Sequence, residues 1–197
     1  GNPMKFQRSL LAVSLLAVLT ASTAFASDDP TGSGTGEGEP MNGANVGDTQ
    51  TASITIPEVS IIDVTSKITA SLKPPTNAGD NFETVTVGEQ TTYDISANIP
   101  AKDPKATKKI VATSSNVPVG WQFGIEMEAP NASGTSTNEQ FLTNGVTSVD
   151  MVKGIQNVAE KGLGMKINIG PENTAVMPSH TDGVAMDIDI VYTITAG

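Results

Sequence analysis

Along the chain, a short apolar run gives way to a polar stretch, and from about residue 51 onward apolar and polar residues alternate. Ser53-Ile54-Thr55-Ile56 alternates up to Pro57, and 59–64 continues in β-branched residues. Ile68, Ala70 and Leu72 share one face ahead of Pro74-Pro75, and 84–87 is a short segment closed by Gly88. Tyr93, Ile95, Ala97 and Ile99 alternate with polar residues until Pro100, and 108–113 is a further candidate. Trp121, Phe123, Ile125 and Met127 oppose Gln122, Gly124, Glu126 and Glu128, and Leu163, Met165, Ile167 and Ile169 repeat the pattern. A period of two predicts strands with one face on a core and the other in water, the habit of antiparallel sheets.

The longest alternation lies at the end of the chain, where Val184, Met186, Ile188, Ile190, Tyr192 and Ile194 point one way and Asp187, Asp189, Thr193 and Thr195 the other. Residues 140–159 are ambiguous: Val146, Val149, Val152 and Ile155 have roughly helical spacing, whereas Val149, Met151 and Ile155 also suit a strand. The β-branched valines and the bracketing Gly145 and Gly154 favour strands with a bulge. Turn clusters separate the runs, among them 74–80, 131–134 and 178–183. Many short strands, Gly/Pro-rich turns and scarcely any helix predict an all-β domain, an antiparallel immunoglobulin-like β-sandwich over residues 51–197.

The residues ahead of that domain read differently. Met4-Lys5-Phe6-Gln7-Arg8 is a basic start, 10–19 (LLAVSLLAVL) is apolar, and Ala24-Phe25-Ala26 presents small residues for cleavage. That three-part pattern predicts a signal peptide over residues 1–26, with 1–3 as an upstream extension. The apolar run is shorter than the ~20 residues a membrane-spanning helix needs, so the expectation is a secreted protein with no membrane insertion after cleavage, in the periplasm, at a bacterial cell surface or outside the cell. Residues 27–50 are dense in Gly, Ser, Thr, Asp and Glu with almost nothing to bury, which predicts a disordered, Gly-rich linker preceding the domain. Gly32, Gly34, Gly36 and Gly38 fit neither phosphate-loop spacing.

Composition narrows the chemistry. With 0 cysteines among 197 residues, disulfides, thiol catalysis, thiolate zinc and iron–sulfur sites are excluded. A formal net charge of -10 makes nucleic acid a poor partner. His180 is the single histidine and lies in a Pro/Ser/Thr/Asp/Gly turn, and neither a G-x-S-x-G elbow nor Ser-x-x-Lys is present. Glu126 with Glu128, and Asp187 with Asp189, are carboxylate pairs on the polar faces of strands, as solvated sheet surfaces require. The Asn/Asp/Gly turn at 77–81 and Asp182 offer oxygen ligands for calcium, although turns carry these residues for backbone reasons. Asn131-Ala132-Ser133 fits a glycosylation sequon, and Trp121 reads as a core residue under a sheet. The expectation is a protein that is not an enzyme and needs no cofactor or metal.

What remains is interaction through strands. Residues 51–64 are either the domain's own first strand or a strand offered to a neighbouring sheet, and the C-terminal strand is able to pair along its whole length. The signal, Gly-rich start, alternating N-terminal segment and alternating C-terminal strand together resemble bacterial pilus or surface-fibre subunits with an immunoglobulin-like sandwich. Gly183 and Tyr192 are the counterparts of that family's glycine and aromatic near the C-terminus, while Ala196 stands where the penultimate aromatic would be and the usual disulfide is missing. The resemblance implies self-association or fibre assembly, with a periplasmic chaperone as a partner. The expected function is therefore a secreted, non-catalytic structural or adhesive protein of a fimbria, surface or extracellular matrix, associating through Ile54, Ile56, Val59, Ile61, Tyr192 and Ile194. The alternative is an extracellular glycan- or calcium-binding module.

Overall fold

The structure is a computed structural model that describes residues 49–65, 67–87 and 91–197. The predicted signal peptide, 1–26, and the predicted linker up to residue 48 lie outside the described residues.

Ala52–Gly197 forms one compact unit. It contains β1 (Ser60–Val64), β2 (Val85–Val87), β3 (Thr92–Ala97), β4 (Lys108–Thr113), β5 (Trp121–Met127), β6 (Thr135–Ser136), β7 (Gln140–Thr143), β8 (Ser148–Ile155), β9 (Val158–Pro171) and β10 (Val191–Ala196), with no helix among the described residues. The strands form two antiparallel sheets. One runs β1-β3-β9-β5-β7 with β2 also on β9, and curls into a half-barrel; the other runs β10-β4-β8-β6. The 14-residue β9 holds the larger sheet together. Its first half pairs with β3, while its second half pairs with β2 on one edge and β5 on the other.

The predicted apolar faces make the core. Tyr93, Ile95 and Ala97 of β3, Trp121, Phe123, Ile125 and Met127 of β5, and Leu163, Met165, Ile167 and Ile169 of β9 are all buried. Ile110 and Ala112 of β4, with Met151, Val152 and Ile155 of β8, close it from the smaller sheet. Burying each such side chain contributes roughly 1.5–3 kcal/mol, enough to hold a two-sheet domain without disulfides. Trp121 is a core residue, its ring 5.3 Å from that of Phe82, which fastens the coil before β2 to β5. The ambiguous segment after residue 140 resolves into β7, β8 and the start of β9, with register shifts where β8 meets β4 and a positive φ at Gly154.

Three expected strand stretches differ. Of the long C-terminal alternation only Val191–Ala196 is a strand, because β4 ends at Thr113 and the chain then turns towards β5, leaving residues 184–190 no backbone to pair with. Residues 53–56 likewise precede β1 without a ladder, since β3 stops at Ala97. Ile68 and Leu72 do pack against the core, but from a coil. Ile188 and Ile190 also pack against the core, whereas Ile54, Ile56, Val184 and Met186 stand in water, so alternation alone is silent about whether a neighbouring backbone is there to bond.

Candidate functional site

The strand-pairing residues predicted from the sequence gather along one side of the domain, where β1 and β10, the outer strands of opposite sheets, pass each other. Among the described residues each of these two strands pairs on one side only, β1 with β3 and β10 with β4. Ser60 stands opposite Ala97, and Ala196 opposite Lys108, so the start of β1 and the end of β10 share one end of the domain.

That end is organised by Lys108. Its position at the head of β4 is in register with Ile110 and Ala112, so its stem enters the core and its side chain is buried. The ammonium emerges under β1, where it donates to Glu58 Oε1 at 2.7 Å, to the Ser60 hydroxyl and to the Val59 carbonyl at 3.4 Å. A buried ammonium needs such partners. The Glu58 carboxylate is exposed, and the hydrogen bond and charge of Lys108 hold its pKa below the usual value. A cavity of about 260 Å³ opens here, lined by Glu58, Ser60, Pro100, Lys108, Ile194 and Ala196 among others.

Two asparagines fix the terminal segments at opposite ends. Asn98 Oδ1 accepts the Val59 N–H at 2.8 Å while its Nδ2 donates to the Pro57 carbonyl at 2.9 Å. Asn116 repeats the arrangement, accepting the Asp189 N–H at 3.3 Å and donating to the Asp187 carbonyl at 3.0 Å. In both, one carboxamide bonds the N–H of one residue and the C=O of the residue two before it, the spacing a partner strand would use.

Beyond these clamps the chain is open. Ile54 and Ile56 are 81% and 75% exposed, and the backbone of residues 52–56 has no hydrogen-bond partner among the described residues. Ile61 points outward from β1 and is also exposed, whereas Val59, Tyr192 and Ile194 are half-buried. Val184 and Met186, ahead of β10, are 67% and 50% exposed. Comparison with family models, curated proteins and solved structures found no match. The functional reading therefore rests on the geometry of this edge.

The other sequence candidates are committed elsewhere. Glu126 pairs with Lys166 on the neighbouring strand at 2.8 Å, and Glu128 accepts the Gly164 N–H at 3.0 Å. His180 Nδ1 accepts the Asp182 N–H at 3.2 Å within an exposed turn, and no serine hydroxyl is bonded to it among the described residues. Asn77 closes its own turn on Asp80, and the Asn81 amide donates to the carbonyls of Asn173, Thr174 and Val176. Among the described residues no three His, Cys, Asp or Glu side chains cluster closely enough to hold a metal ion. Asn131 of the sequon donates its amide to Glu160, whose carboxyl also accepts the N–H groups of Ala132 and Asn131; those hydrogen bonds hold its pKa below the usual value.

Lys108, Asn98 and Asn116 are the residues that sequence reasoning missed. Lys108 left a signal, a lysine on the apolar register of its strand; the two asparagines left only their place just past a strand end.

Proposed function

We propose that this chain is a secreted, non-catalytic structural or adhesive protein of a bacterial surface or matrix, built on an immunoglobulin-like arrangement of its two sheets and associating by β-strand pairing. The observation that carries the reading is the segment 52–57: two isoleucines on one face stand in water, the backbone between them is unbonded, and the segment leads straight into an edge strand. An extended, uncharged segment of this kind gains both backbone hydrogen bonds and apolar burial by joining another strand. The signal-like start of the chain supports export, and a chaperone that shields the segment until assembly fits the same reading.

The test is light scattering over a concentration series of the full chain beside an Ile54→Asp/Ile56→Asp variant. Both positions are exposed, so the variant keeps its fold. Wild type is expected to form concentration-dependent oligomers that the variant loses. A wild-type chain that stays monomeric throughout, or a variant that associates equally well, refutes the reading.

A further inference from the structure

Lys108 is the one buried charged side chain among the described residues, 8% exposed, and it lines the cavity of about 260 Å³ at its end of the domain. The rest of the wall is mostly apolar: Ile99 and Pro100 follow β3, Ala106 precedes β4, and Ile194 and Ala196 belong to β10. Residues 98–107 carry the chain from one sheet to the other. Two turns hold that crossover, the Asp103 N–H donating to the Pro100 carbonyl at 3.0 Å and the Ala106 N–H to the Asp103 carbonyl at 3.1 Å. Of the 11 basic residues in the chain, Lys102, Lys105, Lys108 and Lys109 fall within residues 102–109, with Asp103 as the only acid among them. Lys109 is paired with Asp150, whereas Lys102 and Lys105 are exposed on the crossover itself. A chain of net charge -10 thus turns locally positive where the cavity opens.

We infer that this cavity takes a small organic anion, a monocarboxylate on a short apolar chain, whose carboxylate replaces that of Glu58 on the Lys108 ammonium. The inference does not rest on strand pairing. A buried ammonium stripped of its counter-charge is strongly destabilising, so whatever enters must keep Lys108 paired. Glu58 meets that need from outside: its Oε1 is 2.7 Å from the ammonium, yet its side chain is 79% exposed. It therefore gives up the pair at little cost by returning to water. An entering carboxylate keeps the ammonium paired, and its methylenes leave water against the apolar wall, a gain that the exposed Glu58 side chain does not have.

Size and sign narrow the ligand. At the ~30 Å³ that a water molecule takes in the liquid, the cavity has room for about nine non-hydrogen atoms, the size of hexanoate and well short of a long-chain fatty acid. An alcohol of the same length would leave the ammonium without a counter-charge once Glu58 is displaced, and an amine would meet it as a like charge.

The test titrates hexanoate into the full chain, with hexanol and hexylamine as chain-matched controls, and follows the methyl NMR signals of Ile99, Ala106, Ile194 and Ala196. Hexanoate is expected to shift them saturably with a Kd on the order of 1 mM, and both controls to bind at least ~10-fold more weakly. Glu58→Gln removes the competing charge at an exposed position and is expected to tighten hexanoate about 2–5-fold. Lys108→Met keeps an apolar stem of similar length and is expected to weaken it at least ~10-fold. Hexanol that binds as tightly as hexanoate would make the cavity an unselective apolar trap and overturn the inference. So would the absence of any saturable shift, or a Glu58→Gln chain that binds no more tightly than wild type. Should Lys108→Met fail to fold, the Glu58→Gln chain and the two controls decide. N-acetyl-leucine, which imitates the end of a peptide chain and exceeds the cavity, is expected to bind at least ~10-fold more weakly than hexanoate; equal binding would overturn the assignment to a free acid in favour of a peptide terminus.

Discussion

Removing the hydroxyl from either of the two tyrosines is expected to change stability in opposite directions. Tyr93 of β3 is buried and donates its hydroxyl to the Glu128 carbonyl. Tyr192 of β10 packs against the core with its hydroxyl oxygen buried and without a hydrogen-bond partner among the described residues. Tyr93→Phe loses one hydrogen bond and leaves a carbonyl short of its donor, a destabilisation of about 1–2 kcal/mol. Tyr192→Phe removes an unsatisfied polar atom whose burial costs about 1–3 kcal/mol, less a smaller loss for the void left behind, so a gain of about 1 kcal/mol is expected. Urea unfolding followed through Trp121 emission measures both, because that single tryptophan is buried in the fold. For a unit of this size 1 kcal/mol moves the melting temperature by about 3 °C, so the two variants should melt on either side of wild type. Burial raises both phenol pKa values, with Glu128 and Glu160 adding to the effect at Tyr93. Above pH ~10 the unfolded chain then sheds protons that the folded chain keeps, and stability falls as pH rises; the double phenylalanine variant flattens that alkaline decline. A destabilised Tyr192→Phe would refute the reasoning, since it would mean that the hydroxyl is bonded in solution.

Gly170 faces Thr84 so closely that an added Cβ would lie 2.4 Å from its Oγ1 and 3.2 Å from its Cα. Gly170→Ala must therefore displace the chain at Thr84, just ahead of β2, and is expected to cost about 1–3 kcal/mol in urea unfolding; an unchanged midpoint would show that this segment yields freely. Acid should also weaken the domain. Lys108 lowers the pKa of Glu58, the hydrogen bond from Lys109 leads the lowering at Asp150, and the Ala132 N–H leads it at Glu160. Because these folded-state values lie below the unfolded ones, the stabilisation is complete above pH ~5 and is lost as pH falls through the depressed values. The urea midpoint should drop between pH 6 and pH 3, and a constant midpoint would contradict the assignment.

The core was legible because its physics is local. Apolar residues at every second position of β3, β5 and β9 have no other compact way to leave water, and the structure buries them as the pattern requires. The ends of the sheet were not legible. Whether residues 184–190 find a ladder depends on where β4 turns away, more than 70 residues earlier in the chain, and no pattern within the segment carries that information. The same limit hid the candidate site. Ile54 and Ile56 were readable as strand-forming, but their exposure follows from β3 stopping at Ala97. The clamps at Asn98 and Asn116 act through the backbone of distant segments, and a backbone contact leaves no imprint on the identity of the residue it touches.

Those two amides have a consequence for how far the sheets can grow. A carboxamide imitates a peptide group in offering one acceptor and one donor, yet it has no chain behind it to offer the next pair. Each asparagine is thus a terminus built from a side chain: it satisfies the last rung and halts the zipper there. The molecule can keep its own layers finite while residues 52–56, just outside the first stop, have no backbone hydrogen bond among the described residues and so retain the groups a neighbour would need.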